Sequence, residues 1–207
     1  MLKETIGMDQ LGSKVMGAAE ELEFAGVVAL TRTAGRAKRA VQDILPERFI
    51  IRNKWTIRGI RITPATKKKP EAEVYSKDWY MPIHEEGGRR EPKGETFWIP
   101  VNIRNAIGKS AKDMIPVSMR PKNILKKKVH GNLPFVATYN GKTGIFVKTG
   151  DPTRPVEMLY YRYDKAIKIE KQKWFFDEIF AIYDKYMDVE YNRALQEAFE
   201  RGVKGAF

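Results

Sequence analysis

Between Phe24 and Leu45 the apolar residues Val27, Leu30, Ala34, Ala37, Val41 and Ile44 recur at intervals of 3, 4, 3, 4 and 3. That is the period of one face of an α-helix; a strand would throw half of them to the wrong side. Arg32, Arg36 and Arg39 form a second stripe off this seam. Pro46 is expected to close the helix, because the residue before a proline is pushed out of the α region. Upstream, Met8, Leu11, Val15, Met16, Ala19 and Leu22 continue the pattern. Gly12, Gly17 and Gly26 each weaken it by up to about 1 kcal/mol relative to alanine, so a bend is expected there. A basic helix therefore leads straight into sequence of a different period.

Downstream the period is that of strands. "KWTIRGIRIT", residues 54–63, alternates Trp55, Ile57 and, after Gly59, Ile60 and Ile62, and reads as a half-exposed strand with a bulge at the glycine. "EAEVYS" at 71–76 reads as its hairpin partner, across the basic, proline-bounded loop "PATKKKP". Residues 80–95 are rich in turn formers and charge and are expected to form a long surface loop. "FWIPVN" reads as a strand, "NIRNAIGKSAKDMIP" as a short helix, and "MRPKNILKKKVHGNLP" brings a second lysine triplet. Two alternating apolar runs flank Asn140-Gly141, a pair that accepts positive φ at both positions, so 135–148 is a hairpin, expected with a turn longer than two residues. Residues 156–164 supply another strand.

From Gln172 to Glu200, the series Phe175, Ile179, Ile182, Tyr186 and Val189 predicts a long C-terminal helix. Within 177–200 it carries 7 acidic and 2 basic residues. The predicted class is α+β: a long N-terminal helix, a mostly antiparallel sheet with hairpins and long basic loops, and a long C-terminal helix. Along the chain this divides into a helical segment 1–46, a β-rich core 47–168 and a terminal helix 169–207, taken as one domain with helical appendages.

With 43% hydrophobic and 11% aromatic residues over 207 positions, enough apolar surface exists to offset chain entropy, so the chain is expected to fold. No apolar run approaches the roughly 18 residues of a membrane span, and "MLKETIGMDQ" lacks the pattern of a secretory signal. A soluble protein made in the cytoplasm, with no membrane partner, is the expectation. The absence of cysteine removes thiol nucleophiles and thiolate metal sites. The net charge of +12 is unevenly spread: residues 1–31 hold 2 basic and 5 acidic groups, 32–130 hold 24 and 10, and 131–207 hold 12 and 11. A one-sign block in the middle of the chain points to a polyanion or an acidic protein surface as its neighbour.

Enzymatic chemistry finds little support. "IGKSAK" at 107–112 invites a phosphate-loop reading, but that motif needs a glycine where this chain has Ile103. "HEEGG" at 84–88 sets one histidine beside two carboxylates, without the spacing by which metal ligands share a face. Two histidines, His84 and His130, cannot furnish a Ser/His/Asp arrangement with any other signal. No catalytic residue, metal or cofactor is expected. Nucleic-acid contact needs only placed lysines and arginines, and Tyr75, Trp79, Tyr80 and Trp98 lie among them, although such aromatics in short strands are more often core or interface than stacking platforms. No sequence-reading motif accompanies them, so binding without sequence preference is the expectation.

Several stretches resemble, in order and spacing, the minor tail protein Z family of lambda-like phages and prophages, also described as tail completion proteins. They are the "ALTRTA" helix (Ala29 to Ala34), the "LPERF" stop (Leu45 to Phe49), "IRITPATKKK", "AEVYSKD", and the Gly87-Gly88-Arg89 turn followed by Lys93. Together they cover roughly residues 25–100, about a third of the chain. The resemblance implies a structural virion protein at the head–tail junction, assembled in the host cytoplasm, whose copies form a ring around the DNA channel and join a finished tail to a filled head. It carries over no catalytic residue.

On this reading the ring is hexameric or dodecameric and abuts connector, tail terminator or tail tube proteins, with contact to double-stranded DNA in the channel. Arg32, Arg36, Arg39, Lys67, Lys68, Lys69, Arg89, Arg90, Lys126, Lys127 and Lys128 are the expected DNA-facing or partner-facing set. Val27, Leu30, Ala34, Val41, Phe175, Ile179, Ile182 and Tyr186 are the expected contacts between copies. The acidic terminal helix of one copy is expected to meet the basic middle of the next, a heterologous contact of the kind that closes rings. The alternative is a basic nucleic-acid-binding protein acting outside a ring.

Overall fold

The computed structural model describes residues 8–92, 94 and 96–204, and the side chains of Glu20 to Arg201 among them. In chain order the elements are α1 (Met8–Arg48), α2 (Trp55–Gly59), β1 (Ile60–Thr63), β2 (Glu73–Ser76), α3 (Pro82–Glu86), β3 (Gly88–Arg90), β4 (Phe97–Pro100) and α4 (Ile103–Ala106). After a 3₁₀ turn at Val117–Met119 come α5 (Pro121–Ile124), β5 (Phe135–Tyr139), β6 (Lys142–Lys148), β7 (Val156–Tyr163), β8 (Ile167–Ile169) and α6 (Phe176–Lys204). The class is α+β, with every strand pair antiparallel. No helix of the described residues is long and apolar enough to cross a membrane.

The chain builds two compact units from discontinuous segments. One combines the residues up to Arg48, Trp55–Met81 and the residues from Lys173 on; the other takes Phe49–Lys54 and Pro82–Gln172. The 1–46, 47–168, 169–207 division follows the chain, whereas the units follow packing, which returns the terminal helix to the first one.

In the first unit α1 packs along α6. Val27, Ala34, Ala37, Val41 and Leu45 of the predicted seam are buried, together with Ala25 and Ala29, and α6 contributes Ala194 and Ala198. Small residues on both helices bring the axes close, since interaxial distance follows the side chains at the contact. Trp174, just ahead of α6, is fully buried. Pro46 does not close α1: the helix runs on to Arg48 with the proline inside its last turn. There the proline leaves the Gln42 carbonyl without its helical amide donor and crowds it with the ring, a cost confined to the final turn because only two helical residues follow. The helix is unbroken through Gly12, Gly17 and Gly26, where a bend was expected, and the apolar side chains from Met8 to Ala19 lie outside the described side chains.

Residues 54–63 are not one strand. Trp55–Gly59 is a helical turn and only Ile60–Thr63 is extended, paired with β2 in the register Ile60↔Ser76 to Thr63↔Glu73. Tertiary contacts override the alternation: Thr56 Oγ1 bonds the Tyr80 hydroxyl at 3.0 Å, that hydroxyl donates to Asp78 Oδ2 at 3.0 Å, and a Cβ at Gly59 would lie 3.1 Å from the same carboxylate oxygen. The Gln42 amide of α1 also donates to the Ile57 carbonyl at 2.8 Å.

The second unit is organised by a four-stranded sheet in the order β4-β7-β6-β5. Its core joins Ile103 of α4, Ile124 of α5, Val129, Ile145, Val147, Leu159 and Tyr160. Each large aliphatic side chain buried there contributes about 1.5–3 kcal/mol. The Tyr160 hydroxyl donates to the Met119 carbonyl at 2.9 Å, so the one polar atom of this ring is satisfied. A Cβ on Gly144 would sit 2.4 Å from the Tyr160 carbonyl oxygen, so only glycine allows β6 to approach β7 there. The hairpin turn holds just Asn140 and Gly141, at φ 49° and 72°, with Tyr139 paired to Lys142, and is shorter than expected.

Residues 80–95 hold more structure than a loop. α3 and β3 lie inside this stretch, and β3 pairs with β8, from Gly88↔Ile169 to Arg90↔Ile167. A partner strand so far along the chain leaves no local trace in the composition of 80–95.

Candidate functional site

The basic residues singled out from the sequence fall on both units. Arg32, Arg36, Arg39 and Lys67 to Lys69 belong to the first; Arg89, Arg90 and Lys126 to Lys128 belong to the second.

On α1 the arginine stripe faces α6. Arg32 makes a fork-on-fork pair with Glu197, Nη1 to Oε1 at 3.1 Å and Nη2 to Oε2 at 2.7 Å. The hydrogen bonds hold the Arg32 guanidinium above its ordinary value and keep the Glu197 carboxyl below the usual carboxylate range. Arg36 brings both Nε (2.7 Å) and Nη2 (2.6 Å) to Oε1 of Glu190, and its guanidinium lies 4.6 Å from the centre of the Tyr186 ring. Glu190 is only 2% exposed, and its Oε2 has no hydrogen-bond partner among the described residues. Arg193 adds a second cation to Glu197, at 3.2 Å. Thr31, Arg32, Gly35, Arg36, Arg39, Glu190 and Arg193 line an open groove of about 390 Å³.

Much of the stripe is thus engaged within the chain. Glu190 and Glu197 of the terminal helix meet Arg36 and Arg32 on the basic helix of their own chain. The same holds for the apolar set. Val27, Ala34 and Val41 are buried in their own fold, while Leu30, Phe175, Ile179, Ile182 and Tyr186 are partly covered. An amphipathic seam tells that a helix will be covered, not whether the cover is intramolecular.

In the β1–β2 loop, Lys69 is paired with Glu71 and Glu73, each at 3.3 Å, and Lys67 Nζ sits 5.8 Å from the centre of the Phe24 ring. Arg201 covers that ring too, at 5.1 Å. The loop is pinned to α1, because the amide of Ala65 donates to Thr31 Oγ1 at 3.1 Å. Arg39, Lys67, Lys68, Arg89 and Lys126 to Lys128 form no ion pair among the described residues. The lysines of 126–128, just beyond α5, are all exposed.

One juxtaposition escaped the sequence. Arg89 of β3 stands directly opposite Lys168 of β8, and the two line a shallow concavity of about 440 Å³ with Gly88 and Ala166. Like charges opposite one another in a sheet destabilise it, and neither Arg89 nor Lys168 forms an ion pair among the described residues. Glu190, Glu197 and Arg193 were also missed as partners, although the excess of acid in 177–200 was the available signal. The phosphate-loop and metal readings gain nothing: Gly108 lies beyond the one-turn helix α4, and no cluster of three metal-ligating side chains occurs among the described residues.

Alongside the charge runs exposed apolar surface. Phe176, Phe180 and Tyr183 follow one another at i, i+4 and i+7 on α6 and are 49%, 62% and 47% exposed. Phe176 and Tyr183 line an apolar groove together with Leu30, Ala34, Val74 and Ile179. No protein-family model, no curated protein and no solved structure matches this chain.

Proposed function

We propose that this chain is a structural, non-enzymatic virion protein of a tailed bacteriophage, a tail-completion or connector subunit at the head–tail junction that assembles as a ring around the DNA channel. The observation that carries the reading is the apolar stripe Phe176, Phe180 and Tyr183 on α6. Large apolar side chains in a row, on a chain that is 31% charged, are surface that a neighbouring subunit covers. The resemblance of residues 25–100 to tail completion proteins supports the same role, and the cations that form no ion pair among the described residues supply what DNA or an acidic ring would meet. The test is electron microscopy of virions carrying a tag on the C-terminus of this chain. Density in a symmetric collar between head and tail is expected and would count the copies; absence from the particle removes the reading.

A second reading, a basic nucleic-acid binder acting outside a ring, rests on Arg39, Lys67, Lys68, Arg89 and Lys126 to Lys128. Phosphate neutralisation releases counterions, so replacing Lys126, Lys127 and Lys128 together by glutamine would weaken DNA affinity and flatten its salt dependence by about 0.9 for each phosphate no longer neutralised. Filter binding at several salt concentrations measures this. An unchanged slope takes the triplet out of the nucleic-acid surface.

A further inference from the structure

The four-stranded sheet has two outer strands, and they are finished differently. At β4 the amide of Val101 donates to the Leu159 carbonyl at 3.0 Å, which sets the alternation of the ladder: Phe97 and Ile99 bond inward to β7, while Trp98 and Pro100 turn their backbone groups outward. Pro100 has no N–H, so this edge is blunted where another strand would seek a donor. At β5 the two-residue turn makes Tyr139–Lys142 a bonded pair. Ala137 and Phe135 follow inward, and the N–H and C=O groups of Val136 and Thr138 point away from the sheet. Neither residue's backbone has a hydrogen-bond partner among the described residues.

The strand itself, "FVATY", is uncharged in a chain of net charge +12. Phe135, Val136 and Tyr139 are 37%, 50% and 62% exposed, so apolar surface is open on both faces. Proteins guard such edges with charge, proline or bulges, and β5 has none of these.

We propose that β5 is an interaction surface whose occupant is β5 of a second copy, added antiparallel about a two-fold axis at Ala137. The register is set by the groups that point outward. Val136 then faces Thr138 of the second copy and Thr138 faces its Val136, giving four backbone hydrogen bonds. Phe135 falls opposite the second copy's Tyr139 at both ends of one face, and the small Ala137 side chains meet at the axis. A shift by one residue would oppose outward groups to inward ones and lose every bond. No charged side chain of β5 meets its like, which lets two cationic chains approach here.

Such a contact is isologous and closes at two copies, so it is distinct from any head-to-tail contact that builds a ring and does not depend on the virion reading. Sedimentation of the purified, nuclease-treated chain over a wide dilution series tests it. A monomer–dimer equilibrium is expected, strengthened by added salt because repulsion between the two copies is screened, whereas association bridged by a polyanion would weaken. Thr138→Pro deletes an outward donor and leaves the backbone bonds of the hairpin in place, losing within it only the Thr138 Oγ1–Thr143 Oγ1 hydrogen bond; two hydrogen bonds are lost across the axis, for a dissociation constant about thirtyfold higher. Val136→Lys, which keeps the backbone, sets two lysines diagonally across the axis on one face and should also weaken the dimer, by a smaller factor. Amide exchange gives a readout free of substitution: protection at Val136 and Thr138 should rise with protein concentration. A monomer at every concentration, an open-ended polymer, a dimer whose dissociation constant neither substitution raises, or unprotected amides at 136 and 138 in the dimer would each overturn the proposal.

Discussion

On α1, Arg32 and Arg36 each face a glutamate of α6, whereas on β3 Arg89 faces Lys168 of β8. Both regions are rich in cations, yet only one uses them to hold itself together. The helix pair closes a circuit of opposite charge over an alanine-lined contact, and Glu190 is buried so deeply that its pairing with Arg36 is part of the packing. The small ribbon instead sets like charge opposite like charge, which costs stability. Net charge therefore does not tell which cations are available to a partner; the register of the elements that carry them does.

The largest effect that would sharpen this contrast is expected at Glu190. Glu190→Ala removes two charge-assisted hydrogen bonds and opens a gap between the helices, so unfolding in urea should show a loss of about 2–3 kcal/mol. A loss below about 0.5 kcal/mol would place this pair with ordinary surface ion pairs and break the comparison. On the ribbon the sign reverses. Lys168→Thr removes the charge facing Arg89 and keeps a residue suited to a strand, so the same measurement should show a gain of about 0.5 kcal/mol. If the substitution destabilises the protein instead, the two cations are not in conflict.

How much of this was legible in the sequence depends on the reach of the interactions. Spacing alone places both long helices and the Asn140-Gly141 hairpin, because turn chemistry and amphipathic period act within a few residues. It also pairs β1 with β2, a short-range contact. It fails where distant residues decide: Trp55–Gly59 turns helical against Tyr80 and Asp78, and β3 exists because β8 lies beside it. The basic stripe shows the same limit. Periodicity puts Arg32 and Arg36 on one side of α1, but no local signal says that Glu197 and Glu190 of the same chain wait there. Opposed like charges, as at Arg89 and Lys168, are invisible until the register is known.

The smallest expected effect tests whether the cation-rich second unit carries its field into its own interior. His84, on α3, is partly buried with its ring edge-on to Phe49 at 5.3 Å, and its carbonyl accepts the amide of Gln172. Burial lowers its pKa below the ordinary histidine value, and the charge of Arg90 lowers it further. A histidine held neutral in the fold binds a proton more readily once unfolded. Its contribution is therefore complete above about pH 6.5 and is lost as the pH falls below that value toward the depressed folded pKa. Thermal unfolding between neutral and mildly acidic pH should show a decline that His84→Phe removes, since phenylalanine keeps the ring contact and cannot take up the proton. Arg90→Met should shrink the decline without abolishing it, because burial is the larger cause. An equal decline in all three proteins would mean that the acid sensitivity of this unit comes from elsewhere.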